Sequence, residues 1–345
     1  MRCWPGVRTA WGRTTWSENP VTAEPVAQVK RRGPAVPRGK LVCTKPGFRE
    51  AYMRTAPENP PSIQNVPGWR GRGVPSVRTL LGDWPRNFLR VLRLRGRKAA
   101  RNLTLAVLAD LWTFHVRSLG TARSRVTCPC CGWSGPGFAA TWNSRAVTFN
   151  SRCPSCDSRS RHRGLHALLP RICRDLAPGR ILVFAPERVV LVLLHRLGRG
   201  GSVVTTDLHC EDVDFPGEDI QRLSFPDESF CLLVCNHVLE HVADDTAALR
   251  ECARILTPGG VAVFSVPGDF SRFDTVEYPG PDDSGHWRHY GRDVADKMAS
   301  VFGHVEIVEL ASLSEPHWGV RRGDVAFVCR RAILSAKSHE RLALA

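Results

Sequence analysis

Two matched pairs of cysteines are the residues of this chain best equipped for chemistry. Cys128 and Cys131 are spaced C-x2-C, Cys153 and Cys156 repeat that spacing, and 21 residues separate the pairs. Two such knuckles can offer four thiolates in a tetrahedron around Zn2+. Cys130 falls inside the first knuckle and is expected to stand aside. The intervening glycine, serine and aromatic residues suit a small β-ribbon, so the pairs predict a zinc-ribbon-like module. A closed four-thiolate site has no open coordination position, so its expected work is folding rather than catalysis. Just beyond it, Arg159, Arg161, His162 and Arg163 ("RSRHR") stand at a loop-to-helix edge. They read as a solvated face or as a contact for phosphate.

A second set of chemical residues requires a sheet to position it. From residue 180 onward apolar runs alternate with helical segments, the pattern of an α/β domain. The predicted strands are 180–185, 202–207, 218–221, 230–236, 260–266, 304–310 and 324–330, with helices over 187–197, 244–256 and 291–302. The expected fold is therefore a Rossmann-like, doubly wound, mostly parallel seven-stranded sheet. In such sheets ligands bind beyond the carboxyl ends of the strands. Asp207 ends the second strand, where an acid can accept the two ribose hydroxyls of an adenosine-containing cofactor. The first strand, "RILVFAPE", ends on Ala185-Pro186-Glu187 where a glycine-rich loop is usual, and Pro186 removes one N–H donor.

Four runs then carry a family resemblance: Asp219-Ile220, "LSFPDESF" (Leu223 to Phe230), "CNHVLEHV" (Cys235 to Val242) and "RILTPGG" (Arg254 to Gly260). In order and distance they resemble the class I S-adenosylmethionine-dependent methyltransferases with a type 11-like domain, over about residues 160–331. The upstream cysteine segment and the Ala-Pro-Glu turn look like a subgroup with a zinc ribbon fused ahead of that domain. The resemblance implies that Ala185, Pro186 and Glu187 face the methionine part of S-adenosylmethionine. It also implies that Asp207 takes the ribose, that Asp219 and Ile220 edge the adenine, and that Asn236 closes the pocket near the reacting methyl. Methyl transfer to many acceptors needs a proton removed. His237, leaving a strand toward the cleft, is the first candidate base. His241, His286, His289, Tyr290 and Asp269 follow, and Glu240 is expected to support the loop or touch substrate.

Charge divides the chain. Residues 1–127 hold 24 Lys+Arg against 6 Asp+Glu, and residues 180–345 hold 17 against 25. The expected organisation is a disordered basic arm over 1–86 and a helical segment over 87–120, read as a helix hairpin or a membrane-surface helix. The zinc module follows over 121–160, the methyltransferase domain over 161–331 and a tail over 332–345. No continuous apolar leader or membrane span stands out, so a soluble, cytoplasmic chain is expected. The expected acceptor is a small molecule. The alternatives are RNA, gripped by the ribbon and basic arm, or a non-catalytic binding protein whose sheet no longer takes the cofactor.

Overall fold

The computed structural model describes residue 74 and residues 76–116, 125–143, 145–197, 203–282 and 284–332. The expected arm lies outside them except for its last residues, as does the tail from 333. Helix α1 (Val77–Leu111) begins ten residues before the boundary read from sequence, capped by the Ser76 side chain. At Gly96 its backbone turns to φ 78 and ψ 177, outside helical space. Glycine alone takes that conformation without strain. The chain doubles back there: Trp84 Nε1 donates to Thr104 Oγ1 at 3.3 Å. Twenty residues of straight helix would hold those groups about 30 Å apart. The expected helix hairpin is thus present. Its second arm docks on the ribbon through Asn102 Nδ2, which donates to Asn143 O at 3.0 Å, and Asp110, which accepts from Ala140 N at 2.7 Å. Among the described residues no helix is long and apolar enough to cross a membrane.

The cysteine module is two antiparallel hairpins. β1 (Val126–Thr127) pairs with β2 (Ser134–Gly135), and β3 (Ala139–Trp142) with β4 (Val147–Arg152). Helix α2 (Ser160–Asp175) then leads to the sheet and runs unbroken through Pro170.

The sheet contains β5 (Ile181–Phe184), β6 (Val203–Asp207), β7 (Phe215–Pro216), β8 (Phe230–Asn236), β9 (Leu256–Ser265), β12 (Gly303–Glu309) and β13 (Val325–Arg331), while β10 (Val276–Glu277) and β11 (Arg288–His289) pair antiparallel outside it. The order within the sheet is β12-β13-β9-β8-β5-β6-β7. β5 to β9 are parallel within it, and β13 is antiparallel to β9 and β12. The third strand is Phe215–Pro216 rather than 218–221, which instead forms a turn with an isolated bridge from Asp219 to Arg222. Asp219 accepts from Gln221 at 2.9 Å through the backbone, and that local bond competes with a strand ladder.

The central strands are apolar on both faces because both are covered. Leu232 and Val234 pack with α2 and α3 (Arg188–Arg196). Leu233 and Cys235 pack with α4 (Asp245–Ile255) and α5 (Val294–Phe302). The first of these cores also takes in Cys128, Phe138, Cys153 and Cys156, so the ribbon and the sheet share one interior.

Candidate active site

The four expected thiolates converge. Cys128, Cys131, Cys153 and Cys156 place their sulfurs within 4.8 Å of one another. Cys128 and Cys156 Sγ are 3.6 Å apart, and Cys131 and Cys153 Sγ are 3.7 Å apart. Sulfurs on a tetrahedron around Zn2+ stand about 3.8 Å apart for Zn–S bonds of about 2.3 Å. The residues therefore fit zinc, and Cys130 stays outside the set as expected, facing His162 O. In the first knuckle Gly132 (φ 77) donates its N–H to Cys128 O at 2.8 Å.

The arginines after the second knuckle turn inward, which corrects the reading of "RSRHR" as a solvated or phosphate-facing edge. Arg163 is fully buried. Its guanidinium donates to Ser151 O, Ser158 O, Trp318 O and Gly319 O at 2.7–3.0 Å and lies 3.8 Å over the Phe138 ring. It fastens the ribbon, α2 and the loop before β13 at one point.

Strand order reverses between β5 and β8, and in doubly wound sheets that is where a crevice opens. The predicted residues Ala185, Pro186 and Glu187 leave β5 on one side, and Asn236 and His237 leave β8 on the other. Ala185 adopts φ 42, in the left-handed region, while its N–H donates to Thr206 O at 2.8 Å. The backbone thus keeps the turn a glycine would make and carries a Cβ through it. Such a residue is strained by about 1–2 kcal/mol. Ala185→Gly is expected to raise stability by up to about 1 kcal/mol after the entropic cost of glycine in the unfolded chain. A denaturant midpoint that falls would contradict the strain.

Glu187 caps α3 with its backbone, while its side chain turns into the crevice. Oε1 accepts from Arg161 Nη2 at 2.6 Å, Oε2 lies 2.7 Å from His162 Nε2, and Asn236 Nδ2 also donates to Oε2. Asn236 Oδ1 in turn accepts from Ser265 Oγ at the end of β9. Burial opposes ionisation of Glu187, but His162 and the Arg161 guanidinium outweigh it and hold the carboxyl well below its usual range. His162 Nδ1 accepts from Arg159 N at 3.0 Å, so the proton of the neutral ring sits on Nε2, toward Glu187. Glu187 is therefore a fixed anion bridging the two sides of the crevice. Arg161 Nε is buried and has no hydrogen-bond partner.

On the neighbouring strand Asp207 Oδ1 accepts from His209 N and Cys210 N at 2.7 and 2.8 Å, which fixes the carboxylate at the end of β6. Asp219 binds Gln221 with both oxygens, and Ile220 is buried among the apolar residues beneath.

His237 takes φ 55 immediately after β8, its N–H donating to Ser265 O at 2.8 Å. Its Nδ1 is 3.1 Å from Oε1 of Glu240, whose side chain is buried. Tyr290 is not at the rim: it is buried and donates to Asp245 Oδ2 at 3.0 Å. Burial raises its hydroxyl far above the usual range, which removes it as a base. Asp269 is taken up by the Ser271 N–H and hydroxyl. Arg161, His162 and Ser265 were not assigned to the crevice from sequence; the only signal was the charge density of the RSRHR run.

The methyltransferase domain family matches residues 194–264, which run from the end of α3 through β9 and include Asp207, Asp219, Asn236 and His237. That stretch of the chain matches a methyltransferase domain. Over 77 residues this domain is 39% identical to a ubiquinone biosynthesis O-methyltransferase of Xanthomonas oryzae pv. oryzae, covering 22% of this chain and 28% of that protein. Over 90 residues it is 32% identical to a ubiquinone/menaquinone biosynthesis C-methyltransferase of Xanthomonas axonopodis pv. citri, covering 21% of this chain and 36% of that one. The chain thus spans about a third or less of the length of these curated relatives. Among solved structures, a Burkholderia thailandensis 1,6-didemethyltoxoflavin-N1-methyltransferase with bound S-adenosylhomocysteine aligns with half of this chain and 78% of its own, at TM-score 0.38 and 16% identity. An S-adenosylmethionine-dependent methyltransferase from Mesorhizobium loti aligns with 48% of this chain and 96% of its own, at TM-score 0.35 and 19% identity.

Proposed function

We propose that this chain transfers a methyl group from S-adenosylmethionine to a small-molecule acceptor, with a zinc-stabilised ribbon as a structural module. The observation that carries the reading is the bridge from Glu187 to Asn236 across the switch point of a methyltransferase domain. S-adenosylmethionine, when bound, supplies a methyl group on a sulfonium that is already a good leaving group. What remains for the protein is to bind, orient and deprotonate. The ionised Glu187 and the unpartnered Arg161 Nε offer one group of each sign to the zwitterionic methionine end. Asp207, held by two backbone N–H groups, is assigned to the ribose. Ile220 supplies an apolar wall for the adenine, with Asp219 keeping its turn in shape.

His237 is assigned as the base. With Nδ1–H donating to Glu240, its Nε2 keeps the lone pair that would take the acceptor's proton. The carboxylate of Glu240 then stabilises the imidazolium that results. The small-molecule assignment draws on the ubiquinone-pathway names of the matched relatives. The RNA alternative loses Arg163 as a phosphate contact, because its guanidinium is buried on four backbone carbonyls. Asp207→Ala is expected to weaken S-adenosylhomocysteine binding at least about tenfold, the loss of one or two charge-assisted hydrogen bonds. His237→Ala should leave that affinity unchanged. Calorimetry that finds Asp207→Ala equal to the wild type would refute the ribose role.

A further inference from the structure

Beside His237 the structure gathers a second set of ligating side chains, of which only Glu240 also serves methyl transfer. Glu240 lies in the turn after β8, and its side chain is 1% exposed. Its Oε1 serves His237, while Oε2 is buried and has no hydrogen-bond partner. A bare carboxylate oxygen in the interior is costly, and a cation is the usual remedy. His241 Nε2 stands 3.9 Å from Glu240 Oε1, and the His286 ring is 4.7 Å from the His241 ring at 76°. One ligating atom from each of Glu240, His241 and His286 falls within 4.8 Å of the others.

The surroundings fix these groups in a ligating state. His241 Nδ1 is 3.0 Å from Gly285 O. A carbonyl only accepts, so Nδ1 carries the proton and Nε2, toward Glu240, keeps its lone pair. A backbone carbonyl behind the ring is the usual support of a metal-bound histidine. Gly285 adopts φ 79, and a Cβ there would lie 3.3 Å from His241 Nδ1. Asp282 Oδ1 accepts from Ser284 N and His286 N at 2.7 and 3.1 Å, and its Oδ2 pairs with Arg145 at 2.6 Å. Trp287 N donates to Glu240 O at 2.7 Å, tying the loop of His286 to the turn of Glu240. Arg288 adds bonds to Val242 O and Ala243 O at 2.6 and 2.8 Å.

We propose that Glu240, His241 and His286 bind a divalent transition-metal ion. Two imidazoles and one carboxylate suit the zinc, iron, cobalt and nickel group rather than magnesium or calcium. Three protein ligands leave coordination positions open, unlike the closed four-thiolate site of the ribbon. The set shares only Glu240 with the methyl-transfer reading, and metal uptake by it does not depend on cofactor binding.

Titration of the metal-free full-length chain with Co2+ tests it. The wild type is expected to take up two equivalents, one giving thiolate-to-cobalt charge transfer from the ribbon and one without it. His286→Ala, at a half-buried loop position, should lose the second equivalent and keep the thiolate bands. If that variant also lost the thiolate bands, His241→Asn would provide the same comparison in a chain with its ribbon intact. A wild type that binds a single equivalent, or a variant with intact ribbon that still binds two, would overturn the proposal.

Discussion

Arg163→Met is expected to destabilise the chain by about 3–5 kcal/mol, the loss of several hydrogen bonds from a charged donor at about 1.5–3 kcal/mol each less the relief of a desolvated charge. The methionine would fill much of the volume, so the loss comes from hydrogen bonds. The guanidinium now satisfies four carbonyls, at Ser151, Ser158, Trp318 and Gly319. The loss is largest at the buried Ser151 carbonyl and smaller at the half-buried Trp318 and Gly319 carbonyls, while Ser158 O keeps the Cys153 N–H at 2.9 Å; part of the total is returned because a buried charge is no longer desolvated. The carbonyls belong to β4, the second knuckle and the turn before β13, so the effect should reach both ribbon and sheet. Chemical denaturation reads it as a lower midpoint at similar slope. A change under about 1 kcal/mol, the size of a typical surface substitution, would show that the guanidinium is replaceable.

Cys153→Ser should remove zinc from the ribbon and cost at least about 3 kcal/mol, since the binding free energy of a structural zinc is folding free energy. The loss should not stay local, because Cys128, Cys153, Cys156 and Phe138 share a core with Leu165, Leu168 and Val183. Metal analysis alongside a thermal scan checks both halves of the expectation. Undiminished zinc, or full thermal stability after zinc is lost, would contradict the structural role.

The sheet was legible because its signals are local. The continuous apolar run of β8 predicted 230–236, the observed limits. Paired C-x2-C spacing likewise identified the four thiols that converge. The third strand was misread because Asp219 and Gln221 satisfy each other within the turn, an option that apolar patterning does not register. The direction of RSRHR was hidden for a different reason. Arginine is usually a surface residue, and nothing in the run shows that Arg163 meets four carbonyls from three distant segments. The resemblance implies that Glu187 faces the methionine part of the cofactor. The structure shows a cap whose carboxylate is directed inward and held by Arg161, His162 and Asn236. The missing glycine proved to be a missing residue type rather than a missing conformation, since Ala185 makes the left-handed turn itself.

The methyl-transfer proposal requires the crevice between β5 and β8 to bind the methyl donor despite its Ala-Pro-Glu turn. Calorimetric titration of the wild-type chain with S-adenosylhomocysteine tests it most directly. Saturable binding of one equivalent is expected, weakened at least about tenfold by Asp207→Ala. Absence of detectable binding to a folded, zinc-loaded wild type would contradict it and favour a binding protein built on a methyltransferase domain.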